Sequence, residues 1–220
     1  TEILPANEIS SDDTVTLAPA AAALNYIVEG TSGNDTIDAS YSGDPEGDMI
    51  DASDNLAGNN DDSVLAGDGV DRVFAGVGND TVYGGAGNDF LSGEAGDDVI
   101  YGDSGNDYIT GGADNDVLFG GADDDVIYGD SGNDFISGGI GDDFLYGGTG
   151  DDVIYGDTGD DFVSLTSGND SVNTGDGADT IVLTAAGYAD GAVVTVIGGD
   201  GGTDSDTLDL SDFTAYQNLF

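Results

Sequence analysis

The sequence predicts an all-β protein in which turns and short strands alternate along a repeat of nine residues. In steps of nine from Asp62 to Asp179, all fourteen positions are Asp, and the residue two places after each is Val, Leu or Ile. Gly precedes the Asp by two places in eleven of the fourteen units, and Asn60, Asp114 and Asp123 replace it in the others. These residue types tolerate the left-handed backbone that a tight turn needs. Each unit is therefore predicted to be a six-residue turn and a three-residue strand whose middle side chain points inward.

This repeat resembles the RTX (repeats-in-toxin) nonapeptide GGxGxDxUx, in which U is an aliphatic residue. Units such as GGAGNDFLS at 84–92 and GGTGDDVIY at 147–155 fit it fully, and the resemblance covers 57–182 without a break. It implies a right-handed parallel β-roll, a β-solenoid in which two units form one turn. Units n and n+2 would then stack at about 4.8 Å.

The pattern divides the chain into four segments. Residues 1–29 carry no motif and are predicted to be an N-terminal capping segment, because the open end of a solenoid needs a cover. Residues 30–56 hold irregular RTX-like turns, 57–182 form the regular β-roll, and 183–220 hold a degenerate repeat and a C-terminal cap. Short capping strands are expected at both ends, with strand-like sequences at 14–18, 24–28, 192–197 and 206–220.

The resemblance implies that Ca²⁺ binds between stacked turns, through Asp carboxylates of both turns and main-chain carbonyls. Hard oxygen ligands, 6–8 per ion, and glycines that let carbonyls face the metal agree with this chemistry. Fourteen units in two rows of seven leave six gaps per row, or roughly twelve sites. The predicted metal ligands are Asp35, Asp62, Asp71, Asp80, Asp89, Asp98, Asp107, Asp116, Asp125, Asp134, Asp143, Asp152, Asp161, Asp170, Asp179 and Asp206.

Charge excludes several classes of function. The 46 acidic residues face one basic residue, Arg72, for a formal net charge of −45, so nucleic acid and anionic membranes are not expected partners. No apolar run approaches the roughly 18 residues of a membrane span.

The residue types needed for most enzyme mechanisms are missing from the chain. It has no His, Lys or Cys, the usual general bases and strong nucleophiles. Adjacent carboxylates such as Asp97 and Asp98 recur in identical surroundings, so we predict no enzyme.

Aromatic and aliphatic residues occupy the outward strand positions, where polar residues are expected. The same position of every second unit gives one row, which consists of Phe90, Tyr108, Val126, Phe144 and Phe162. One interpretation is stacking between neighbouring turns. The other is a docking surface, for self-association into a layer, matrix or filament or for a partner solenoid. The alternative partner class is carbohydrate, bound by outward tyrosines of an RTX module in a larger secreted enzyme or adhesin.

The resemblance also implies a secreted protein at the cell surface or outside the cell, because RTX proteins are typically exported by type I secretion through an uncleaved C-terminal signal. The last residues could be such a signal or could precede a further domain. The favoured function is a structural or interaction module that folds when it binds many Ca²⁺ ions.

Overall fold

The computed structural model describes residues 28–40, 50, 60–184, 193–198 and 206–210. Within them the chain forms two parallel sheets of nine strands each, and no helix is present. Successive strands alternate between the sheets, so that the odd-numbered strands build one sheet and the even-numbered strands the other. The predicted all-β parallel solenoid is confirmed. In the described part of the chain, no helix is long and apolar enough to cross a membrane.

Each sheet runs in chain order along the solenoid axis. The odd sheet consists of β1 (Val28–Glu29), β3 (Ser63–Asp68), β5 (Thr81–Ala86), β7 (Val99–Ser104), β9 (Val117–Ala122), β11 (Phe135–Ile140), β13 (Val153–Thr158), β15 (Ser171–Asn173) and β17 (Thr195–Ile197). The even sheet consists of β2 (Thr36–Ile37), β4 (Arg72–Val77), β6 (Phe90–Ala95), β8 (Tyr108–Ala113), β10 (Val126–Ser131), β12 (Phe144–Tyr146), β14 (Phe162–Leu165), β16 (Thr180–Leu183) and β18 (Thr207–Asp209).

In the regular part of the roll, every unit stacks on the unit two places earlier, as the repeat predicts. Ile100 of β7 pairs with Val82 of β5 on one side and with Leu118 of β9 on the other. In the even sheet, Ile127 of β10 pairs in the same way with Ile109 of β8. Two nonapeptide units therefore form one turn.

The core is a column of aliphatic side chains between the two sheets. Each is the residue two places after a repeat Asp, and each is buried. The column runs through Val64, Val73, Val82, Leu91, Ile100, Ile109, Leu118, Ile127, Ile136, Leu145, Ile154, Val163, Val172 and Ile181. At about 0.8 kcal/mol per buried CH₂, this column is the main apolar contribution to folding.

The prediction of three-residue strands is wrong. Most strands have six residues, as in Thr81–Ala86, and they continue through the first three positions of the next unit. The main chain keeps its inter-turn pairing there although the second of these positions has a positive φ, which is +102° at Gly85 and +71° at Asp103. The tight turn is consequently shorter than expected.

At both ends the strands keep their alignment while the connections lengthen. Ile37 pairs with Val73 and Ile181 pairs with Leu208, although each pair lies farther apart in sequence than the pairs of the central roll. The longer connection places Asp206 beside Asp179 in the even row. Ile50 is buried in the core.

Several of the predicted end features lie outside the described residues. They are the strand at 14–18, most of the strand at 24–28, and the tail 211–220. The division of the chain into four segments stays a prediction.

Candidate metal sites

The repeat Asp side chains point into the roll. Side chains alternate between the two sides of a strand, so the Asp shares the inner side with the aliphatic residue two places later and with the first residue of the next unit. All fourteen in-register carboxylates are buried. They are Asp62, Asp71, Asp80, Asp89, Asp98, Asp107, Asp116, Asp125, Asp134, Asp143, Asp152, Asp161, Asp170 and Asp179.

One oxygen of the carboxylates from Asp71 to Asp179 is fixed by a hydrogen bond from the preceding turn. The main-chain N–H of Asp107 donates to Asp125 Oδ1 at 2.8 Å, and that of Asp116 donates to Asp134 Oδ1 at 2.9 Å. The same bond repeats along both rows from Asp62 to Asp179, with N···O distances of 2.7–3.0 Å. Charge-assisted bonds of this kind orient the carboxylates identically in every turn.

The second oxygen, Oδ2, has no hydrogen-bond partner in the central units. This holds for nine side chains whose exposed fractions run from 0% to 3%. They are Asp89, Asp98, Asp107, Asp116, Asp125, Asp134, Asp143, Asp152 and Asp161. Nearer one end of the array, Asp71 shares this feature. An ionised carboxylate buried in this way is costly unless a cation or a proton compensates it.

The pKa values of these carboxyl groups reflect the cost of burying their charged form. Burial raises the pKa of Asp107, Asp116 and Asp161 from 3.8 to about 8, and that of Asp125 and Asp152 to about 7. Neighbouring carboxylates raise these pKa values further, whereas the hydrogen bond from the preceding turn lowers them. Burial disfavours the charged form in each case. At these positions a proton or a bound cation is therefore favoured over an uncompensated negative charge.

Main-chain oxygens surround the buried carboxylates. A Cβ built on Gly120 would lie less than 3.0 Å from Asp125 Oδ2 and 2.5 Å from the carbonyl oxygen of Gly138 in the next turn. In the turns themselves, a Cβ on Gly121 or Gly141 would collide with the carbonyl oxygen at the same position of the preceding turn. Carbonyl oxygens thus lie close to the neighbouring turn, and beside Gly120 one of them lies near the same inner space as a carboxylate oxygen.

This donor set suits a hard divalent cation. It consists only of oxygen atoms, and Ca²⁺ takes 6–8 of them from carboxylates and carbonyls. Within the described ranges, no group of three or more acidic side chains converges on one point. A cation between two turns would therefore take part of its ligands from the main chain, in agreement with the expected mixture of carboxylates and carbonyls.

The two terminal candidates differ from the central ones. Asp35 is half-buried, and its Oδ2 accepts hydrogen bonds from the N–H of Thr31 at 2.7 Å and from Thr31 Oγ1 at 2.8 Å. Asp206 is exposed, and its Oδ1 accepts a longer bond of 3.3 Å from the N–H of Asp179. Both align with the rows, but their carboxylates lie in different surroundings.

A second ladder of side chains was not expected from the sequence. The residue directly before the repeat Asp accepts a hydrogen bond from the N–H of its counterpart in the next turn. Asn133 N–H donates to Asn115 Oδ1 at 2.8 Å, and Asp160 N–H donates to Asp142 Oδ1 at 2.8 Å. The recurrence of Asn or Asp at this position is the signal in the sequence, but turn chemistry within a unit would produce the same recurrence. The bonds instead join successive turns.

The outward aromatic residues form stacks on both sheets, in the predicted register. On the odd sheet the ring centroids of Tyr83 and Tyr101 lie 4.9 Å apart with an interplanar angle of 4°, and Tyr101 and Phe119 follow at 5.0 Å and 6°. On the even sheet Tyr128 and Tyr146 stack at 4.4 Å. Parallel stacking covers the faces of these rings and leaves their edges outward.

The comparisons with known proteins agree with this geometry. The sequence profile of the RTX calcium-binding nonapeptide repeat matches residues 27–44 and, in overlapping windows, 51–184. The search of curated proteins found no match. The profile covers more than half of the chain, including every turn that carries a buried repeat Asp. The chain belongs to the RTX calcium-binding nonapeptide-repeat family.

Proposed function

We propose that this calcium-binding β-roll is a structural or interaction module that, at neutral pH, folds when Ca²⁺ enters its two carboxylate rows. The unpartnered Oδ2 atoms of Asp89 through Asp161 carry the proposal, since each is a buried oxygen atom and, in seven of the nine units, a main-chain carbonyl of the next turn lies close to the same inner space. The repeat Asp residues would supply the anionic ligands. Asp35 and Asp206 align with the same rows, but their carboxylates are half-buried and exposed, respectively, rather than buried.

Net charge supports coupled folding and binding. A compact chain of charge −45 with a single basic residue repels itself strongly. Burying its carboxylates without cations adds a desolvation cost at every turn. Calcium removes both obstacles, so the free energy of binding becomes free energy of folding, as in other small metal-dependent domains.

The site of action that fits this coupling is outside the cell, after type I secretion. Extracellular calcium modules bind with dissociation constants of about 10⁻⁴–10⁻³ M. A chain with such affinities stays unfolded where calcium is scarce and folds where it is abundant. The described carboxylates are structurally alike from unit to unit, which favours a repetitive scaffold over a catalytic centre.

Association through the aromatic stacks is the interaction we favour. Phe144 is 48% exposed, and Tyr83, Tyr108 and Tyr155 are also exposed, so apolar surface faces outward on both sheets. Tyr83 lies in a parallel stack, whereas Phe144 and Tyr155 lie in tilted contacts at 38° and 39°. Contiguous exposed apolar surface of this kind favours another protein surface, such as a second copy, as the partner.

Circular dichroism tests the proposal. We expect little β-signal in chelator at neutral pH and a cooperative gain of β-signal in millimolar Ca²⁺. Mg²⁺ at the same concentration is the control, because it demands near-ideal octahedral geometry and retains water. A β-signal in chelator equal to that in calcium would contradict the proposal.

A further inference from the structure

We infer that the first residue of each unit determines which units bind calcium. In the regular roll, the nine units that begin with Gly would bind an ion, and those that begin with a larger residue would not. The inference rests on the function proposed above and refines its number of sites. The nine are Gly84, Gly93, Gly102, Gly111, Gly120, Gly129, Gly138, Gly147 and Gly156.

The argument starts from what lies on the inner side of these glycines. A Cβ built on any of the nine would lie less than 3.0 Å from Oδ2 of the Asp in the same unit, a separation that real Cβ atoms essentially never show. In seven of the nine, the carbonyl oxygen at the same position of the next turn also lies 3.0 Å or less from that Cβ. The missing side chain therefore allows a buried carboxylate oxygen and a carbonyl of the next turn to approach one another.

Backbone conformation does not explain the glycines. Their φ angles lie outside the left-handed range, in contrast to the following residue of most units, for example Gly121 at +118°. Their own φ angles therefore place no restriction on alanine, and the restriction comes from the Asp Oδ2 and, in seven units, the carbonyl oxygen of the next turn. Alanine would instead fill the space on the inner side of the strand, beside the carboxylate of the Asp in the same unit.

The chain itself contains the substituted form. Ala66 and Ala75 are the first residues of their units, and both are fully buried in strands of regular register. Leu165 and Thr174 hold the same position at the other end and are also fully buried. In these four units a side chain occupies the inner space, so the carboxylate and carbonyl cannot take up the arrangement seen beside Gly120.

The central units of the roll would therefore bind ions, and the units at its two ends would not. Counting gaps between turns predicts roughly twelve ions, whereas counting first-position glycines with buried Asp partners predicts nine. Gly198 approaches Asp206 Oδ2 in a similar way, but Asp206 is exposed and is not counted. The apolar first residues would instead extend the core toward the caps.

The test is the number of Ca²⁺ ions bound per chain at saturation, measured by equilibrium dialysis with elemental analysis. We expect nine for the wild type, one fewer for Gly120→Ala and one more for Ala75→Gly. Gly33→Ala is the matched control, because its Cβ would meet only Thr31 Oγ1, at 3.7 Å. Circular dichroism at each calcium concentration gives an independent readout, in which Gly120→Ala needs more calcium to fold.

The outcomes separate the inference from the proposed function. A wild type that binds twelve ions, or a Gly120→Ala variant that keeps the wild-type number and folding midpoint, overturns the inference alone. An unchanged number in Ala75→Gly also overturns it, and this variant remains informative if Gly120→Ala does not fold. A wild type that binds no calcium overturns the proposed function as well.

Discussion

Asp125 lies near the middle of the roll, and its two carboxylate oxygens have different surroundings. Oδ1 accepts the hydrogen bond from the Asp107 N–H at 2.8 Å, and Oδ2 is buried without a hydrogen-bond partner beside Gly120 and the Gly138 carbonyl. Asp125→Ala removes both oxygens, whereas Asp125→Asn keeps an acceptor for the Asp107 N–H and removes the charge. The pair of variants therefore separates the hydrogen bond from the ion.

The expected losses follow from these contacts. Leaving the buried Asp107 N–H without an acceptor costs about 1–3 kcal/mol. Losing one ion costs about 2.7 kcal/mol when calcium is at about 100 times its dissociation constant. We therefore expect Asp125→Ala to lower the free energy of unfolding by about 4–6 kcal/mol and Asp125→Asn by about 3 kcal/mol. Asp206→Ala should cost under about 1 kcal/mol, because Asp206 is exposed and its bond to Asp179 is 3.3 Å long.

The assay is urea unfolding at fixed calcium, followed by circular dichroism, together with calcium titration of each variant. The order of stability should be wild type, Asp206→Ala, Asp125→Asn and Asp125→Ala. Equal shifts of the calcium midpoint for the central and the terminal variants would refute the reasoning, since it attributes the difference to burial and to the stacked turns on both sides.

Two further predictions concern pH and association. Because burial raises the pKa of Asp107, Asp116 and Asp161 to about 8, the calcium-free folded roll binds more protons than the unfolded chain between about pH 4 and pH 8. Its stability in chelator should therefore be greatest at about pH 4 and be lost as the pH rises through 8; circular dichroism in chelator that gains β-signal with rising pH would contradict this. In millimolar Ca²⁺ the wild type should sediment as an oligomer and Phe144→Ser with Phe162→Ser as a monomer, because each buried ring contributes about 1.5–3 kcal/mol. Thr180→Ser, on the same outward face, is the control, and a monomeric wild type at high concentration would show that the stacks only join neighbouring turns.

The repeat made the register of the central roll predictable. Asp and an aliphatic residue recur at a fixed spacing, and a parallel stack is the arrangement in which such positions align. The alignment of Phe90 with Tyr108, and the placement of β7, β10 and β13 on alternate sheets, follow from the same count. These features depend only on periodicity, which a sequence displays directly.

The contacts between turns were not predictable in the same way. Whether an Asp side chain bonds within its own turn or to a neighbouring turn depends on the offset between stacked main chains. The Oδ1 atoms of Asp125 and Asn115 accept bonds from opposite directions, from the preceding and the following turn. The length of the strands also depends on the offset between stacked main chains, which the sequence does not show. At the ends, the motif placed Asp35 and Asp206 in the repeat although longer connections interrupt the count, but it did not show the half-buried and exposed surroundings of their carboxylates.

The central claim is that the buried rows of carboxylates hold calcium, and locating the ions tests it most directly. Crystals grown in Ca²⁺ and measured at a wavelength where calcium scatters anomalously would give the ion positions without reference to sequence. The account predicts two rows of peaks between the turns, each at about 2.3–2.6 Å from an Oδ2 atom of the series Asp89 to Asp161. A well-ordered roll whose Oδ2 atoms contact only water or protons, with peaks confined to the surface, would contradict it.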